Sequence, residues 1–179
     1  MLTGEEPISA PFELLLCKPR TPAAARRLWR IIHYVPDMTD AELEVRPYRD
    51  SDEPAVVALW ERLFPDARAW NQPAAYIRRK LAVQRELFLV GALDGRAVAT
   101  VLAGYDGVRG WVYHLAVAPE HRRHGYGRTM MAAAEARLRA LGCPKINLQI
   151  MRTNAEVVRF YERLGYAVED RVSMGRALG

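Results

Sequence analysis

The sequence predicts an α/β fold of the α+β type, in which a mixed, mostly antiparallel sheet of about six to seven strands is flanked by about four helices. One observation is a change of apolar periodicity, from helical spacing before residue 87 to strand-like runs after it. Another is a pair of Asp-Gly steps, at residues 94–95 and 106–107, which separate three apolar runs. The predicted order of elements is βααβββαβαββ.

The first third of this domain predicts one strand and two helices. Apolar and charged residues alternate over residues 43–47, as in a strand with one buried face. Asp50 and Glu53 resemble a capping box, after which apolar residues recur at helical spacing to about Phe64. A shorter, basic helix is predicted over residues 73–81, beginning at a proline.

The middle of the chain predicts an antiparallel meander. Residues 87–93 and 97–104 are apolar runs joined by Asp94-Gly95, the pair that a type I′ hairpin turn favours. A second turn at Asp106-Gly107 leads to a third strand over residues 111–117. Three consecutive antiparallel strands are therefore expected at the centre of the sheet.

The last third predicts two helices, each ended by a glycine, with strands between and after them. The helices cover residues 127–141 and 154–164, before Gly142 and Gly165. The strands cover residues 145–150, 166–168 and 172–178.

Residues 1–41 differ in character from the domain predicted over residues 42–179. Five prolines interrupt every candidate element there except residues 23–34, a short helical stretch with a basic face. Two explanations stay open: a disordered N-terminal extension, or a start codon assigned upstream of a true start at Met38. The acidic first residues lack the pattern of a secretory signal, so we expect a cytoplasmic protein.

Charge and composition exclude several classes of function. The net charge is +5 and the pI about 9.5, but the arginines are dispersed among carboxylates and form no basic stripe, so we expect no nucleic-acid partner. No apolar run is long enough to cross a membrane. Cys17 and Cys143 lie in no metal-ligand pattern, and no metal is expected. We expect a monomer or a homodimer.

A glycine-rich turn between the third meander strand and the next helix carries the most informative chemistry. In Arg122-x-x-Gly125-x-Gly127, the glycines let a phosphate approach the main chain, whose N–H groups point out of the helix N-terminus. Arg123 and Arg128 add positive charge beside Arg122. A tight turn without a ligand is the alternative explanation of the glycines.

This pattern resembles the pyrophosphate signature of the GNAT superfamily of N-acetyltransferases. Asn154, followed by Tyr161 and then Gly165-Tyr166, resembles the downstream motif of that family, and the predicted element order is similar to that of its fold. Four shorter stretches resemble the YpeA-type bacterial branch. They are WN-x-P at residues 70–73, GYDG at 104–107, GCPKI at 142–146 and YERLGY at 161–166.

The resemblance implies an acetyl-CoA-dependent N-acetyltransferase that moves an acetyl group directly to an amine in a ternary complex. Tyr161 matches the tyrosine that gives a proton to the departing thiolate, and Asn154 matches the side chain that binds the amide of the cofactor. An aromatic core position and a helix N-cap are the respective alternatives. The resemblance places acetyl-CoA against residues of the central strand, the turn and the last helix: Leu115, Ala116, Val117, Arg122, Arg123, His124, Gly125, Tyr126, Gly127, Arg128, Asn154 and Tyr161.

The carboxylate that deprotonates the amine in many members of the family has no counterpart here, because Trp111 and Gln149 occupy its usual places. Tyr113 or His114 could relay a proton through water, although a histidine in such a strand is more often a core residue. Without a strong base, an α-amino group of pKa about 8 is easier to activate than a lysine amine near 10.4.

The acceptor, a small-molecule or peptide amine, cannot be identified from the sequence. Analogy places it against loop and strand residues: Trp70, Asn71, Tyr105, Asp106, Tyr113, His114 and Gln149. Each has a structural alternative, such as a turn for Asp106 and a solvated helix face for the basic run at residues 78–80. A catalytically weak module that senses acyl-CoA is the rival function.

Overall fold

The computed structural model describes residues 42–65 and 68–178, and this part of the chain contains one five-stranded sheet and four α-helices. The N-terminal extension and the predicted helix at residues 23–34 lie outside the described residues. The strands are β1 (Glu44–Pro47), β2 (Phe88–Leu93), β3 (Arg96–Tyr105), β4 (Gly110–Val117) and β5 (Ile146–Leu148). The helices are α1 (Glu53–Leu63), α2 (Pro73–Leu81), α3 (Tyr126–Ala140) and α4 (Ala155–Glu162).

The sheet has the order β1-β2-β3-β4-β5, with antiparallel neighbours except for the parallel pair β4 and β5. The predicted hairpin between β2 and β3 is confirmed, since Asp94 and Gly95 have φ of +48° and +77°, the left-handed values that a type I′ turn requires. β5 pairs with β4 only from Gly110 to Val112. In the described part of the chain, the C-terminal half of β4 therefore has a strand partner only on the β3 side.

Helices cover both faces of the sheet and bury two apolar clusters. One cluster lies beneath α3 and α4, and its buried members include Val101, Met131 and Tyr161. The other lies beneath α1 and α2, and Trp60 and Leu102 are at its centre. The period-2 alternation of β3 explains this division, because Val101 and Leu102 point to opposite faces.

The junction between β1 and α1 is fixed by a buried carboxylate. Asp52 accepts two hydrogen bonds from the Arg46 guanidinium, at 2.7 and 2.8 Å, and a third from the Arg49 backbone N–H at 2.8 Å. These donors hold the Asp52 pKa below its usual value, although burial acts in the opposite direction. The prediction that Asp50 and Glu53 form the capping box is wrong. The carboxylate that accepts a backbone N–H at this helix start is Asp52, and the donor is Arg49.

The predicted count of six to seven strands is too high, because residues 166–168 and 172–178 form no strand. A strand exists only where its backbone pairs with a neighbour, and alternation alone does not supply one. Side chains instead connect the segment after residue 166 to β5 and the residues beside it. Glu169 contacts Lys145 and Asn147, and Gln149 donates to the Ser173 hydroxyl at 2.6 Å. The strand predicted over residues 145–150 is correspondingly reduced to β5.

Within residues 42–65 and 68–178, no helix combines the length and apolar character needed to cross a membrane.

Candidate active site

The open half of β4 begins at a β-bulge. Thr100 pairs with Ala116 and Leu102 pairs with Tyr113, so β4 has one residue more than β3 between these two pairs. His114, within the bulge, has a φ of +46°, which is uncommon for a residue other than glycine. The bulge therefore interrupts the hydrogen-bond ladder between β3 and β4, in the part of β4 that does not pair with β5.

A buried chain of hydrogen bonds fixes the backbone of this bulge. The Trp60 indole N–H donates to the Thr100 hydroxyl at 2.9 Å, and that hydroxyl donates to the His114 carbonyl at 3.1 Å. The peptide bond after His114 is trans, so the Leu115 N–H points opposite to that carbonyl, away from Thr100. A backbone donor is thereby turned towards the open edge of β4.

The His114 ring is held in an aromatic cluster beneath α1 and α2. Its centroid lies 4.5 Å from that of Trp60, 4.4 Å from that of Tyr76 and 5.1 Å from that of Phe64. Burial lowers the His114 pKa to about 4, because a charged imidazolium would lose its hydration there. The ring is thus neutral near pH 7 and packs as an apolar group.

The glycine turn, residues 122–128, connects this edge to the N-terminus of α3. Arg123 and Gly125 both have left-handed φ, +70° and +82°, and Gly125 occupies the N-cap position. The Arg122 Nε donates to the Val117 carbonyl at 3.2 Å, which ties the turn to the end of β4. The His124 ring stacks on Tyr126, with centroids 5.7 Å apart.

The turn leaves space for an anion at Gly125. A Cβ at this position would meet no protein atom within 4 Å. N–H groups in the first turn of a helix have no acceptor within that helix, and the helix dipole favours negative charge beside them. With the arginines of the turn, these features fit the diphosphate of coenzyme A.

Gly127 has a packing role in addition to the phosphate contact predicted for it. A Cβ there would lie 3.3 Å from Phe160 Cζ, so the absence of a side chain lets α4 pack closely against the first turn of α3. Phe160 precedes Tyr161, and their ring centroids are 5.0 Å apart. Gly127 therefore helps to place the helix that carries Tyr161.

Tyr161 lies in the cluster beneath α3 and α4 and is 8% exposed. Burial raises its pKa to about 12. Its ring lies edge-on to Tyr166, with a centroid separation of 5.5 Å, and the Tyr166 hydroxyl donates to Glu135 at 2.9 Å. The Tyr161 phenol therefore stays protonated at any ordinary assay pH.

Asn154 caps α4. Its side-chain oxygen accepts the Val157 N–H at 3.3 Å, as in an N-cap. This bond uses the oxygen and leaves the amide nitrogen able to donate to another group.

A cleft of about 360 Å³ opens on the α1 and α2 side of the sheet, and we call it the α2–β3 cleft. Its wall consists of residues from α2, the loop after it, β3 and β4: Tyr76, Arg79, Lys80, Val83, Gln84, Leu102, Gly104 and Tyr113. Of the residues that the sequence analysis places against the acceptor amine, Tyr113 lines this cleft.

The other predicted acceptor residues are dispersed. Trp70 contacts the cleft indirectly, because its carbonyl accepts a hydrogen bond from Arg79, and Asn71 follows it in the same short 3₁₀ turn. Asp106 accepts the N–H groups of Val108 and Arg109, both at 2.8 Å, within its own turn. His114 lies behind Tyr76, Tyr105 packs against the opposite face of the sheet, and Gln149 holds Ser173.

Little in the sequence indicates that Lys80 and Gln84 line the cleft. β3 extends beyond the first residue of β2, and these side chains bond the groups that β2 does not reach. Lys80 Nζ donates to the Ala103 carbonyl at 2.5 Å, and Gln84 bonds both the carbonyl and the N–H of Tyr105, at 2.6 and 2.9 Å. Gln84 lies beyond the end of α2 at Leu81, so helical spacing does not connect the two residues, and the sequence offers no signal that pairs them.

Comparison with known proteins finds a matching family and several similar relatives. The family model described as "Acetyltransferase (GNAT) family" matches residues 42–166. The chain is 39% identical over 136 residues to "Acetyltransferase YE1169" of Yersinia enterocolitica, which covers 76% of this chain and 96% of that protein, and 38% identical over the same length to an acetyltransferase of Yersinia pestis.

Solved structures share the fold at lower identity. Ard1 from Thermoplasma volcanium superposes with a TM-score of 0.64 at 20% identity, covering 71% of this chain and 84% of that one. A putative acetyltransferase from Agrobacterium tumefaciens gives 0.62 at 23% identity, covering 75% and 99%.

Proposed function

Because this chain belongs to the acetyltransferase (GNAT) family and is an acetyl-CoA-dependent acetyltransferase, we propose that it transfers the acetyl group directly to a primary amine in a ternary complex. The acceptor is an α-amino group of a peptide or protein, or a small-molecule amine. Donor and acceptor approach the bulge of β4 from opposite sides.

The continuity of the glycine turn with the open edge of β4 is the observation that supports this proposal. Arg122 binds the carbonyl of Val117, the last residue of β4, and so joins the anion-binding turn to an unpaired strand edge. An extended arm that starts from the diphosphate can pair with the backbone of Leu115 and Val117 as an added strand. The reacting end of the donor then lies at the bulge.

Three groups of the chain act on the reacting atoms in this proposal. The Leu115 N–H, fixed by the hydrogen-bond chain from Trp60, donates to the thioester oxygen as negative charge develops there. The Asn154 amide nitrogen donates to the arm of the donor. Tyr161 gives its proton to the departing thiolate, whose conjugate thiol has a pKa near 8.5, and regains a proton from the attacking nitrogen, which loses one as the tetrahedral intermediate becomes the amide.

Among the described residues that line the α2–β3 cleft, none is a carboxylate that could deprotonate the acceptor. Trp111 and Gln149 cannot act as bases, and a His114 pKa of about 4 makes that ring too weak a base to hold a proton taken from an ammonium group. The acceptor therefore binds as the free amine. This favours an α-amino group, with a pKa near 8, over a lysine side chain.

Replacing the tyrosine hydroxyl tests the proposal. We expect Tyr161→Phe to lower kcat about 100-fold and to leave the affinity for acetyl-CoA unchanged, because a general acid acts on the chemical step. Release of free coenzyme A thiol gives the rate, and calorimetry gives the affinity.

Tyr166→Phe is the matched control, because it removes a phenol from the same cluster whose hydroxyl is bound to Glu135. We expect its kcat to stay within about threefold of the parent. Equal effects of the two changes would remove Tyr161 from the mechanism. Binding of acetyl-CoA without thiol release for any amine would instead support the sensing module, which the missing carboxylate favours.

A further inference from the structure

We propose that the α2–β3 cleft selects an acceptor that carries a carboxylate together with its primary amine, and that Arg79 and Lys80 bind this carboxylate. This inference rests on the proposed function and specifies its acceptor. It assigns the anion to the α2 end of the cleft and the reacting amine to the β4 end.

The cleft contains two cations and no acidic side chain. Arg79 and Lys80 both line it, whereas the other lining residues are aromatic, aliphatic, glycine or amide. In the described part of the chain, neither cation lies within 4 Å of a carboxylate. A partly buried ammonium such as that of Lys80 is costly without an opposite charge, and a ligand carboxylate supplies one.

Acidic groups near the cleft do not neutralise these cations. Glu86 exerts an attraction on Lys80, yet burial is the larger effect and lowers the Lys80 pKa. Asp106 lies near Tyr113, but its carboxylate already accepts two backbone N–H groups in its own turn. The field inside the cleft is therefore positive, and it disfavours an acceptor with a second amine.

The geometry of the side chains suits a bidentate contact. The Arg79 guanidinium lies 5.7 Å from the centroid of the Tyr76 ring and donates one hydrogen bond to the Trp70 carbonyl. These contacts hold it in place, and its remaining N–H groups can bind both oxygens of a carboxylate. Lys80 is anchored by the Ala103 carbonyl and has two further donors.

The opposite end of the cleft leads to the bulge. Tyr113 lines the cleft and lies two residues before Leu115. A volume of about 360 Å³ lies at the lower end of the range for small-molecule sites. Amino acids and dipeptides are of the size that reaches from the cations to β4, and the Tyr76 and Tyr113 rings provide flat apolar walls for an aromatic side chain.

Matched acceptors test this selectivity. Phenylalanine and the dipeptide Gly-Phe are each compared with the corresponding carboxamide, which removes the negative charge and keeps the shape, and spermidine serves as the polycation. Thiol release is measured at one pH for both members of a pair, with kcat/KM expressed per concentration of neutral amine, and binding is measured by calorimetry with coenzyme A present. We expect at least one acid to exceed its amide about tenfold in kcat/KM and in affinity, and spermidine to be the poorest acceptor.

Two arginine variants locate the anion. Arg79→Gln should reduce the preference for the acid and change kcat/KM for the amide little, because one of the two charged contacts is lost while that of Lys80 remains. Arg78→Gln makes the same change at the preceding, exposed residue of α2, which does not line the cleft, and should change kcat/KM less than twofold.

The outcomes separate this inference from the proposed function. Equal rates for acids and amides, a preference for spermidine, or an equal loss on both acceptors in Arg79→Gln would overturn the inference while acetyl transfer stands. A preference for acids in binding without any thiol release would uphold the inference and refute the transfer reaction.

Discussion

The environment of His114 makes the stability of the protein depend on pH. The pKa is about 4 in the folded chain and about 6.5 in the unfolded one, because the ring packs against Trp60, Tyr76 and Phe64. Between pH 6.5 and pH 4 the unfolded chain binds a proton that the folded chain does not, so stability falls as the pH falls through this window.

We expect this histidine to contribute a loss of about 2 kcal/mol between pH 7.5 and pH 5. His114→Asn keeps a residue that tolerates left-handed φ and removes the titration, so its unfolding free energy should change less over this interval. Urea unfolding at the two pH values measures the difference.

A second residue-scale prediction concerns Gly125 and separates backbone strain from ligand space. Gly125→Ala places a side chain at φ +82° and fills the space proposed for the diphosphate. Gly95→Ala imposes similar strain at φ +77°, also with no protein atom within 4 Å, in the β2–β3 turn. Each should cost about 1 kcal/mol of stability.

Only the change at Gly125 should weaken coenzyme A binding, by about tenfold or more, as measured by calorimetry. A parental dissociation constant in Gly125→Ala would place the diphosphate elsewhere, whatever the loss of stability.

At the scale of elements, the bulge of β4 depends on a side chain of β3. Thr100→Val keeps the shape of residue 100 but removes the hydroxyl that connects the Trp60 indole to the His114 carbonyl. We expect a stability loss of about 1–3 kcal/mol from the buried groups left without partners. We also expect kcat to fall about tenfold as the Leu115 N–H loses its fixed direction, with coenzyme A affinity unchanged.

Thr100→Ser tests whether the hydroxyl, and not packing, is responsible. It deletes a methyl group in the core and so also destabilises, by about 1 kcal/mol, but it keeps the hydrogen-bond chain. Its kcat should therefore remain close to that of the parent. If Ser and Val variants lose kcat equally, the chain does not position the reacting backbone.

The elements themselves were predictable to the extent that local pattern determines them. β2, β3 and β4 have long apolar runs and Asp-Gly turns, and their observed ends differ from the predicted ones by at most one residue. Residues 166–178 show the same alternation as a strand, but the backbone partner that a strand needs is a long-range property. The pattern alone could not decide that side-chain contacts to Lys145 and Gln149 would take its place.

At the scale of the whole molecule, the two sides of the candidate site differ in how far the sequence reveals them. Gly125, Asn154 and Tyr161 lie in short motifs, so a resemblance to known acetyltransferases predicts each of them as a site residue. The α2–β3 cleft exists because β3 overhangs β2, and Lys80 and Gln84 then bond the exposed strand. That overhang is a matter of register between strands, which local periodicity does not encode.

The position of the candidate site within the chain predicts which residues are sufficient for the reaction. Both apolar clusters, the open edge of β4, the glycine turn and the cleft are built from residues 42–178, and the family match covers residues 42–166. We therefore expect a chain that begins at Met38 to keep coenzyme A affinity and kcat within about threefold of the 179-residue chain. Calorimetry and thiol release give these values, and urea unfolding of both chains shows whether the fold is retained. A shorter chain that folds but no longer binds coenzyme A would show that residues 1–37 belong to the site, and one that fails to fold would show that they belong to the domain.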